Sequence, residues 1–156
     1  GVGFLKKQVW VDEKRMAIHG WSYGGFMTLS MMTNYPGVFK AGVAGGPVTD
    51  WALYEVMYGE RYMDTPQTNP DGFNKTRVSD KTSNITDPVL VIHGSVDPTV
   101  VMQNSELFLK DAVDNGVQEV NFFMYPGHPH NVRGKDRVHL MQKVLDFVIE
   151  NTGPVK

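Results

Sequence analysis

The sequence contains no cysteine, which excludes disulfide bonds and thiolate chemistry. No apolar run approaches the roughly 20 residues that a membrane span requires, and the first ten residues lack the layout of a signal peptide. Lysine and arginine are scattered, and the formal net charge is -2, so no extended basic surface is encoded. We therefore expect neither nucleic acid nor a membrane surface among the partners of these residues.

The 156 residues that are present, 41% of them hydrophobic, are enough for one compact domain with a sizeable core. Four short apolar runs bounded by glycine or proline are typical of fully buried strands; they read RMAIHG, KAGVAGGP, DPVLVIHG and VNFFMYPG. Helical patterns separate or follow them, from Ser22 to the NYPG turn, over about 103–115, and at the end of the chain. The closing helix carries one stripe at 3.6 spacing, formed by Val138, Met141, Leu145 and Val148. Strands alternating with helices predict a parallel sheet in a three-layer α/β arrangement.

One connection breaks this alternation. Residues 48–87 separate the second and third strands, and the first part of this segment is rich in aromatic side chains: Trp51, Tyr54, Tyr58 and Tyr62. Long connections in compact domains frequently carry function, which makes these rings candidates for a binding surface. The alternative is that they form the core side of an inserted helix, since three of them follow an i, i+3, i+7 spacing.

The stretch GWSYG matches the pattern G-x-S-x-G, and it lies after an apolar strand and before a helix. In that setting the pattern is typical of a nucleophile elbow, a turn so sharp that neighbouring positions must be glycine. We expect Gly20 and Gly24 to permit the turn and Ser22 to present its hydroxyl at the sheet edge. The alternative is a packing corner with no chemical role.

Two later strand ends supply the partners that a serine nucleophile needs. Asp97 follows the third strand, and His128 and His130 follow the fourth, in the order serine, acid, histidine of α/β-hydrolases. The carboxyl ends of parallel strands share one edge of a sheet, so the three groups can converge there. Asp97 taken alone is more typical of an ordinary turn, and His93 is interpreted as a hydrogen-bonded structural histidine. The combination predicts a Ser-His-Asp hydrolase.

Longer motifs carry a resemblance to a known family. The stretches GWSYGG, DWALYEVMYGERYM, LVIHGSVDPTVV and MYPGHPHNVRGKDRVHL resemble the C-terminal catalytic region of the prolyl oligopeptidase family of serine peptidases, in its dipeptidyl peptidase IV branch. The resemblance implies an α/β-hydrolase fold and release of N-terminal dipeptides after proline or alanine, without metal or cofactor. The substrates implied are peptides with proline near the N-terminus. Some motifs are similar to those of bacterial prolyl tripeptidyl aminopeptidases, which remain an alternative, as do a general esterase and an inactive module.

The resemblance also implies roles for individual residues. Ser22 would be the nucleophile, Asp97 the acid and His130 the base, and the backbone N–H of Tyr23 would be one oxyanion-hole donor. The apolar pocket for the proline ring would be lined by Tyr23, Val48, Trp51, Tyr54, Tyr58 and Val100. Dipeptidyl members commonly carry asparagine two residues after the acid, where this chain has Thr99, and this departure favours tripeptide release.

The resemblance covers only part of a complete enzyme of this family. A full α/β-hydrolase sheet has about eight strands, whereas four are found, and neither the family's N-terminal β-propeller nor its oxyanion tyrosine has a match here. We therefore expect residues 1–156 to be the C-terminal portion of a longer catalytic domain and to be inactive in isolation. An open edge at the first strand predicts a homo-oligomer. The resemblance alone suggests a bacterial periplasm or cell envelope.

Overall fold

The computed structural model describes residues 1–153, and in it the four predicted strands form one sheet. The strands are β1 (Ala17–Trp21), β2 (Ala41–Gly45), β3 (Val89–Gly94) and β4 (Val120–Tyr125). They lie side by side in chain order, and every neighbouring pair is parallel, with Ala17 opposite Ala41 at the start of β1. The prediction of an α/β fold with a parallel sheet is confirmed.

Helices connect and cover the strands. They are α1 (Val2–Leu5), α2 (Tyr23–Asn34), α3 (Val56–Met63), α4 (Pro70–Thr76), α5 (Gln103–Asp114) and α6 (Lys135–Thr152). The crossover from β1 to β2 is α2, the crossover from β3 to β4 is α5, and α6 follows β4. The long connection between β2 and β3 holds α3, α4 and two short 3₁₀ turns, Trp51–Leu53 and Thr82–Asn84. Among residues 1–153, no helix is both long and apolar enough to cross a membrane.

The core lies on both faces of the sheet. Val89 and Val91 of β3 belong to an apolar cluster with side chains of α2 and α5. Leu90 and Ile92, which point to the opposite face, pack with Leu140 of α6 and its neighbours. Successive residues of one strand therefore contact different helical layers, which gives the three-layer arrangement.

The two edge strands are less buried than the sequence predicts. All residues of β2 and β3 are buried, but β4 exposes Phe122 and Met124, and no residue of β1 is fully buried. The expectation that all four strands are fully buried is wrong for β1 and β4. Within residues 1–153 each of these has a neighbouring strand on one side only, so the flanking helices cover it less completely than the central strands.

The buried face of α6 also differs from the predicted stripe. Val138 and Leu145 are 73% and 52% exposed, whereas Leu140 and Val144 are buried against the sheet. The helix carries apolar side chains on two faces with the same 3.6-residue period, so spacing alone did not select the inward one. Of the predicted stripe, Val148 packs at the edge of the core.

Candidate active site

Ser22 occupies the turn between β1 and α2 in a backbone conformation that only glycine adopts easily. Its φ is 61° and its ψ is -118°, and within residues 1–153 the other non-glycine residue with positive φ is Asp64. The Ser22 N–H donates to the carbonyl of Gly45 at 2.8 Å, and the Ser22 carbonyl accepts from the N–H of Phe26 at 3.0 Å. The turn is therefore held from both sides in the strained form that a nucleophile elbow requires.

Two glycines make this turn possible. A Cβ on Gly20 would lie 2.2 Å from the carbonyl oxygen of Gly24, and a Cβ on Gly25 would lie 2.7 Å from that of Gly45. A Cβ on Gly24 would meet no heavy atom within 4 Å outside its own helix. The expectation that Gly24 permits the turn is wrong, because Gly25 is the residue that lets the start of α2 pack against the end of β2.

Asp97 lies in the turn after β3 and uses its two carboxylate oxygens differently. Oδ1 accepts the N–H groups of Thr99 and Val100, each at 2.9 Å, which closes the turn. Oδ2 is 2.7 Å from Nδ1 of His130. The turn role and the pairing with histidine therefore coexist, since closure of the turn aims the second oxygen at the imidazole.

The carboxylate of Asp97 is strongly stabilised in its ionised form. Burial by itself raises the pKa of Asp97. The opposing effect is larger: hydrogen bonds from His130, from His93 and from the Val100 and Thr99 N–H groups hold the pKa of Asp97 well below its ordinary value. An ionised carboxylate only accepts, so Nδ1 of His130 carries the hydrogen between them. In the neutral ring, Nε2 is then free to accept a proton.

The loop that carries His130 packs directly on the ends of three strands. The Trp21 indole N–H, at the end of β1, donates to the His130 carbonyl at 2.9 Å. A Cβ on Gly94, the last residue of β3, would lie 2.3 Å from the Pro129 carbonyl oxygen. The imidazole lies against Gly46, just after β2, so the carboxyl edge of the sheet gathers Ser22, Asp97 and His130. Within the described residues the Ser22 hydroxyl makes no hydrogen bond.

His128 is engaged elsewhere. Its Nε2 is 2.7 Å from Oδ2 of Asp136 in the first turn of α6, and its ring contacts that of Tyr125. Of the two histidines after β4, His130 is the one that the structure brings to Asp97. Within residues 1–153, no group of three or more histidine, aspartate or glutamate side chains is placed to hold a metal ion.

A second histidine supports the acid, and sequence reasoning did not identify its partners. His93 is fully buried in β3; its Nε2 is 2.8 Å from the Val100 carbonyl and 3.4 Å from Oδ2 of Asp97, and its Nδ1 is 2.7 Å from the hydroxyl of Ser105. A carbonyl only accepts, so Nε2 carries the hydrogen and, in the neutral ring, Nδ1 accepts from Ser105. His93 thus joins the acid turn to α5. The hydroxyl of Ser105 gave no signal in the sequence because its contact arises from the packing of α5 on β3.

The aromatic residues of the long connection gather around Trp51 rather than along one helix. The Trp51 ring is stacked on Tyr58 at 6.0 Å, and it contacts Phe26 at 5.3 Å, Tyr54 at 5.5 Å and Tyr23 at 6.0 Å. Trp51 lies in a 3₁₀ turn and is 6% exposed, whereas Tyr58 lies in α3 and is 42% exposed. The alternative of a buried helix face does not describe this cluster, because its outer rings are open to solvent.

The other two predicted pocket residues, Val48 and Val100, pack with Trp51. Val48 and Val100 are buried in one apolar cluster with Trp51 and Phe73. An adjacent cavity of about 300 Å³ is lined by Tyr23, Phe26, Trp51, Tyr58, Gly59, Tyr62, Met63 and Thr76. Burial raises the pKa of Tyr54, with smaller contributions from Glu55, Tyr58 and Asp97. The cavity is therefore shared by Tyr23, the residue after Ser22, and the two tyrosines of α3.

Together these groups have the composition of a serine acyl-transfer site. They comprise a hydroxyl on a strained turn, an ionised carboxylate paired with an imidazole, an apolar cavity, and the N–H of Tyr23, which as the first residue of α2 has no partner within the helix. With a parallel sheet covered on both faces, they define the chain as an α/β-hydrolase fold.

Comparison with known proteins then gives the family. The model of the prolyl oligopeptidase family matches residues 1–154, so the chain belongs to that family. It is 47% identical over 126 residues to dipeptidyl-aminopeptidase B of Aspergillus niger, an alignment that covers 79% of this chain and 14% of that protein. The chain therefore spans about one seventh of the length of this relative.

Two crystal structures are similar to the whole chain. One is of a Bacteroides ovatus protein assigned as a dipeptidyl aminopeptidase IV, with a TM-score of 0.94 and 47% identity; the similarity covers 96% of this chain and 21% of that one. The other is Porphyromonas gingivalis dipeptidyl peptidase 4, with a TM-score of 0.91, 34% identity and the same coverage.

Proposed function

We propose that these residues form the C-terminal part of the catalytic domain of a serine exopeptidase that releases N-terminal dipeptides after proline or alanine. The observation that carries the proposal is the strained turn at Ser22 on the sheet edge that also holds the Asp97–His130 pair, at 2.7 Å. The family and the dipeptidyl peptidases among the relatives support it. The domain assignment agrees with the small share of each relative that the chain spans.

In the proposed mechanism, Ser22 Oγ attacks the carbonyl carbon of the scissile peptide while His130 Nε2 accepts its proton. Asp97 stabilises the imidazolium and keeps its Nδ1 hydrogen directed inward. The imidazolium then protonates the leaving amine, the C–N bond breaks, and an acyl ester remains on Ser22. Water, deprotonated by His130, hydrolyses that ester and releases the dipeptide.

Negative charge develops on the carbonyl oxygen during attack, and the Tyr23 N–H is the proposed donor to it. Such a donor is worth roughly 3–4 kcal/mol of transition-state stabilisation in serine peptidases. We propose that a second donor, and the acidic groups that bind the substrate amine, come from parts of the parent protein outside residues 1–156. The isolated chain is therefore expected to be inactive.

The proposed pocket for the residue before the scissile bond is the aromatic cluster. Proline is rigid and lacks an N–H, so flat rings recognise it by shape and by apolar contact. Trp51, Tyr54, Tyr58 and Tyr23 supply such rings, Tyr23 being the residue after Ser22, and Val48 and Val100 pack with Trp51 in one apolar cluster.

The test is active-site labelling of the full-length parent protein. A serine-directed phosphonate is expected to label Ser22, and the protein is expected to hydrolyse Gly-Pro-p-nitroanilide. Ser22→Ala should abolish both, whereas Ser83→Ala, an exposed serine in the 3₁₀ turn Thr82–Asn84, should change neither. Hydrolysis of short acyl esters alone would overturn the peptidase in favour of an esterase, and lack of labelling would favour an inactive module.

One observation favours a tripeptidyl alternative. Thr99 is exposed, and its N–H is used to close the acid turn. A threonine side chain here is shorter than the asparagine of dipeptidyl members and reaches less far towards a substrate backbone. Mass analysis of products from Ala-Ala-Pro-Ala-Ala and Ala-Pro-Ala-Ala distinguishes the two activities. Release of a tripeptide from the first peptide alone would replace the dipeptidyl assignment.

Self-association is proposed for the isolated chain through β1, which has no neighbour on its outer side in the described residues. Light scattering coupled to size-exclusion chromatography is expected to give a mass above that of one chain. A well-behaved monomer would contradict this assembly.

A further inference from the structure

A buried polar cluster lies just before Trp51, and within residues 1–153 it forms no hydrogen bond with the proposed catalytic side chains. Its centre is Asn104 of α5, which is fully buried. Its Oδ1 accepts the N–H groups of Thr49 at 2.9 Å and Asp50 at 3.3 Å, and its Nδ2 donates to the Val101 carbonyl at 3.1 Å. Asn104 therefore joins the backbone just before Trp51 to the backbone just after Val100.

Asp50 continues this cluster to the Trp51 turn and to α4. Its Oδ1 accepts the N–H of Ala52 at 2.9 Å and so caps the 3₁₀ turn Trp51–Leu53. Its Oδ2 accepts from Nε of Arg77, the residue after α4, at 2.8 Å. The Asp50 side chain is 12% exposed and that of Arg77 31%, so a nearly buried carboxylate links the Trp51 turn to the far end of the long connection.

We propose that Asn104, Asp50 and Arg77, the Trp51 clamp, are positioning residues for substrate selection. This inference rests on the proposed function and goes beyond it, since it says which residues hold the Trp51 wall of the proposed proline pocket. A 3₁₀ turn of three residues has one or two internal hydrogen bonds and does not hold a large ring in place by itself. The clamp supplies that restraint through bonds to two other elements.

The clamp acts on selectivity rather than on bond breaking. Within the described residues, none of its members hydrogen-bonds to Ser22, Asp97 or His130. Loosening the clamp therefore frees Trp51 while the acid–base pair keeps its geometry. A rigid proline ring depends on a correctly placed wall more than a small alanine side chain does. Weaker binding of proline substrates should therefore appear as a higher KM.

The test compares Arg77→Gln with the unaltered full-length parent on Gly-Pro- and Gly-Ala-p-nitroanilide. We expect Arg77→Gln to raise KM for the proline substrate about tenfold, with kcat within about twofold, and to lower the proline-to-alanine preference. Arg77→Lys should restore part of the effect, because an ammonium can form one bond to Asp50. The matched control is Lys110→Gln, which breaks an exposed ion pair with Asp114 and should leave both substrates unaffected.

Asp50→Asn is the second variant, since it keeps the shape and the cap on Ala52 while weakening the bond to Arg77. Hydrogen exchange gives a readout independent of catalysis: the Ala52 amide should exchange faster in Arg77→Gln than in the parent. An unchanged proline preference in an active Arg77→Gln or Asp50→Asn protein would overturn the clamp and leave the proposed function intact. A parent that hydrolyses neither substrate would overturn both.

Discussion

The acid–base corner and the aromatic pocket lie side by side but are built by different means. Asp97 and His130 sit on short turns directly after β3 and β4, and directional hydrogen bonds hold them. Trp51 and Tyr58 lie in a 3₁₀ turn and in α3, both within the long connection between β2 and β3, and they touch mainly through ring contacts. The proposed chemistry thus lies on loops that follow β3 and β4, and the proposed recognition surface lies on the long connection between β2 and β3.

The two regions also differ in exposure. The side chain of Asp97 is fully buried and that of His130 is 15% exposed, whereas the outer rings Tyr58 and Tyr62 are open to solvent. A buried, hydrogen-bonded pair keeps one geometry, because any movement leaves a charge without a partner. Ring contacts tolerate sliding, which suits a surface that accepts more than one side chain. The following predictions test this difference, from the largest expected effect to the smallest.

The largest effect is expected from breaking the acid–base corner. Asp97→Asn keeps the shape but removes the charge that orients His130, and kcat of the parent protein should fall by about 10⁴-fold with little change in KM. Steady-state kinetics on Gly-Pro-p-nitroanilide measures both constants. His128→Gln is the matched control, since His128 pairs with Asp136 instead, and its effect should stay below about threefold. Equal losses in the two variants would refute the assignment of His130.

Removal of the central ring of the pocket should have a smaller effect of a different kind. Trp51→Ala should lower kcat/KM for the proline substrate about 10- to 100-fold, mostly through KM, because it removes the contacts of four rings. Trp10→Ala removes an exposed indole and serves as the control. If Trp51→Ala lowered kcat rather than raising KM, the aromatic cluster would contribute to bond breaking as well as to substrate binding, and the proposed division between the two regions would be wrong.

The support of the acid turn can be weakened without touching the acid. Ser105→Ala leaves Nδ1 of buried His93 without a donor, which should lower the free energy of unfolding by about 1–3 kcal/mol. We expect kcat to fall severalfold while the proline-to-alanine preference stays constant. Urea unfolding and kinetics of the parent protein provide the two measurements. A change in preference would show that the acid turn and the pocket are coupled.

The smallest effect concerns pH. The folded pKa of Asp97 lies below its ordinary value of 3.8, so the folded state binds fewer protons than the unfolded state in acid. The resulting stabilisation is complete above the unfolded pKa, and it is lost as the pH falls below about 4 towards the folded pKa. Urea unfolding at several pH values between 3 and 7 should show the free energy of unfolding falling towards acid pH. In the Asp97→Asn variant this fall should be smaller. An identical acid slope in both proteins would contradict the ionised buried carboxylate.

Much of this arrangement could be predicted from local patterns in the sequence. The four strands, the parallel sheet and the helices after Ser22 and around Gln103 were predicted, because burial on both faces produces apolar runs and helices follow with their own period. The exposure of β4 at the sheet edge and the inward face of α6 were not predicted, since each depends on which element packs against it in the folded protein. The order Ser22, Asp97, His130 was readable because each follows a strand, and the roles remain predictions that labelling will test.

The sequence by itself determined the strand ends and therefore the residues that meet at the sheet edge. Only the tertiary structure decided how those residues are held: that Asp97 closes its own turn with one oxygen and meets His130 with the other, that Ser105 supports His93, and that Gly25 rather than Gly24 relieves the turn. The physical reason is the distance along the chain over which each kind of interaction acts. Hydrophobic period and turn chemistry act over a few neighbouring residues, whereas these hydrogen bonds and close approaches join segments brought together only when the helices pack on the sheet.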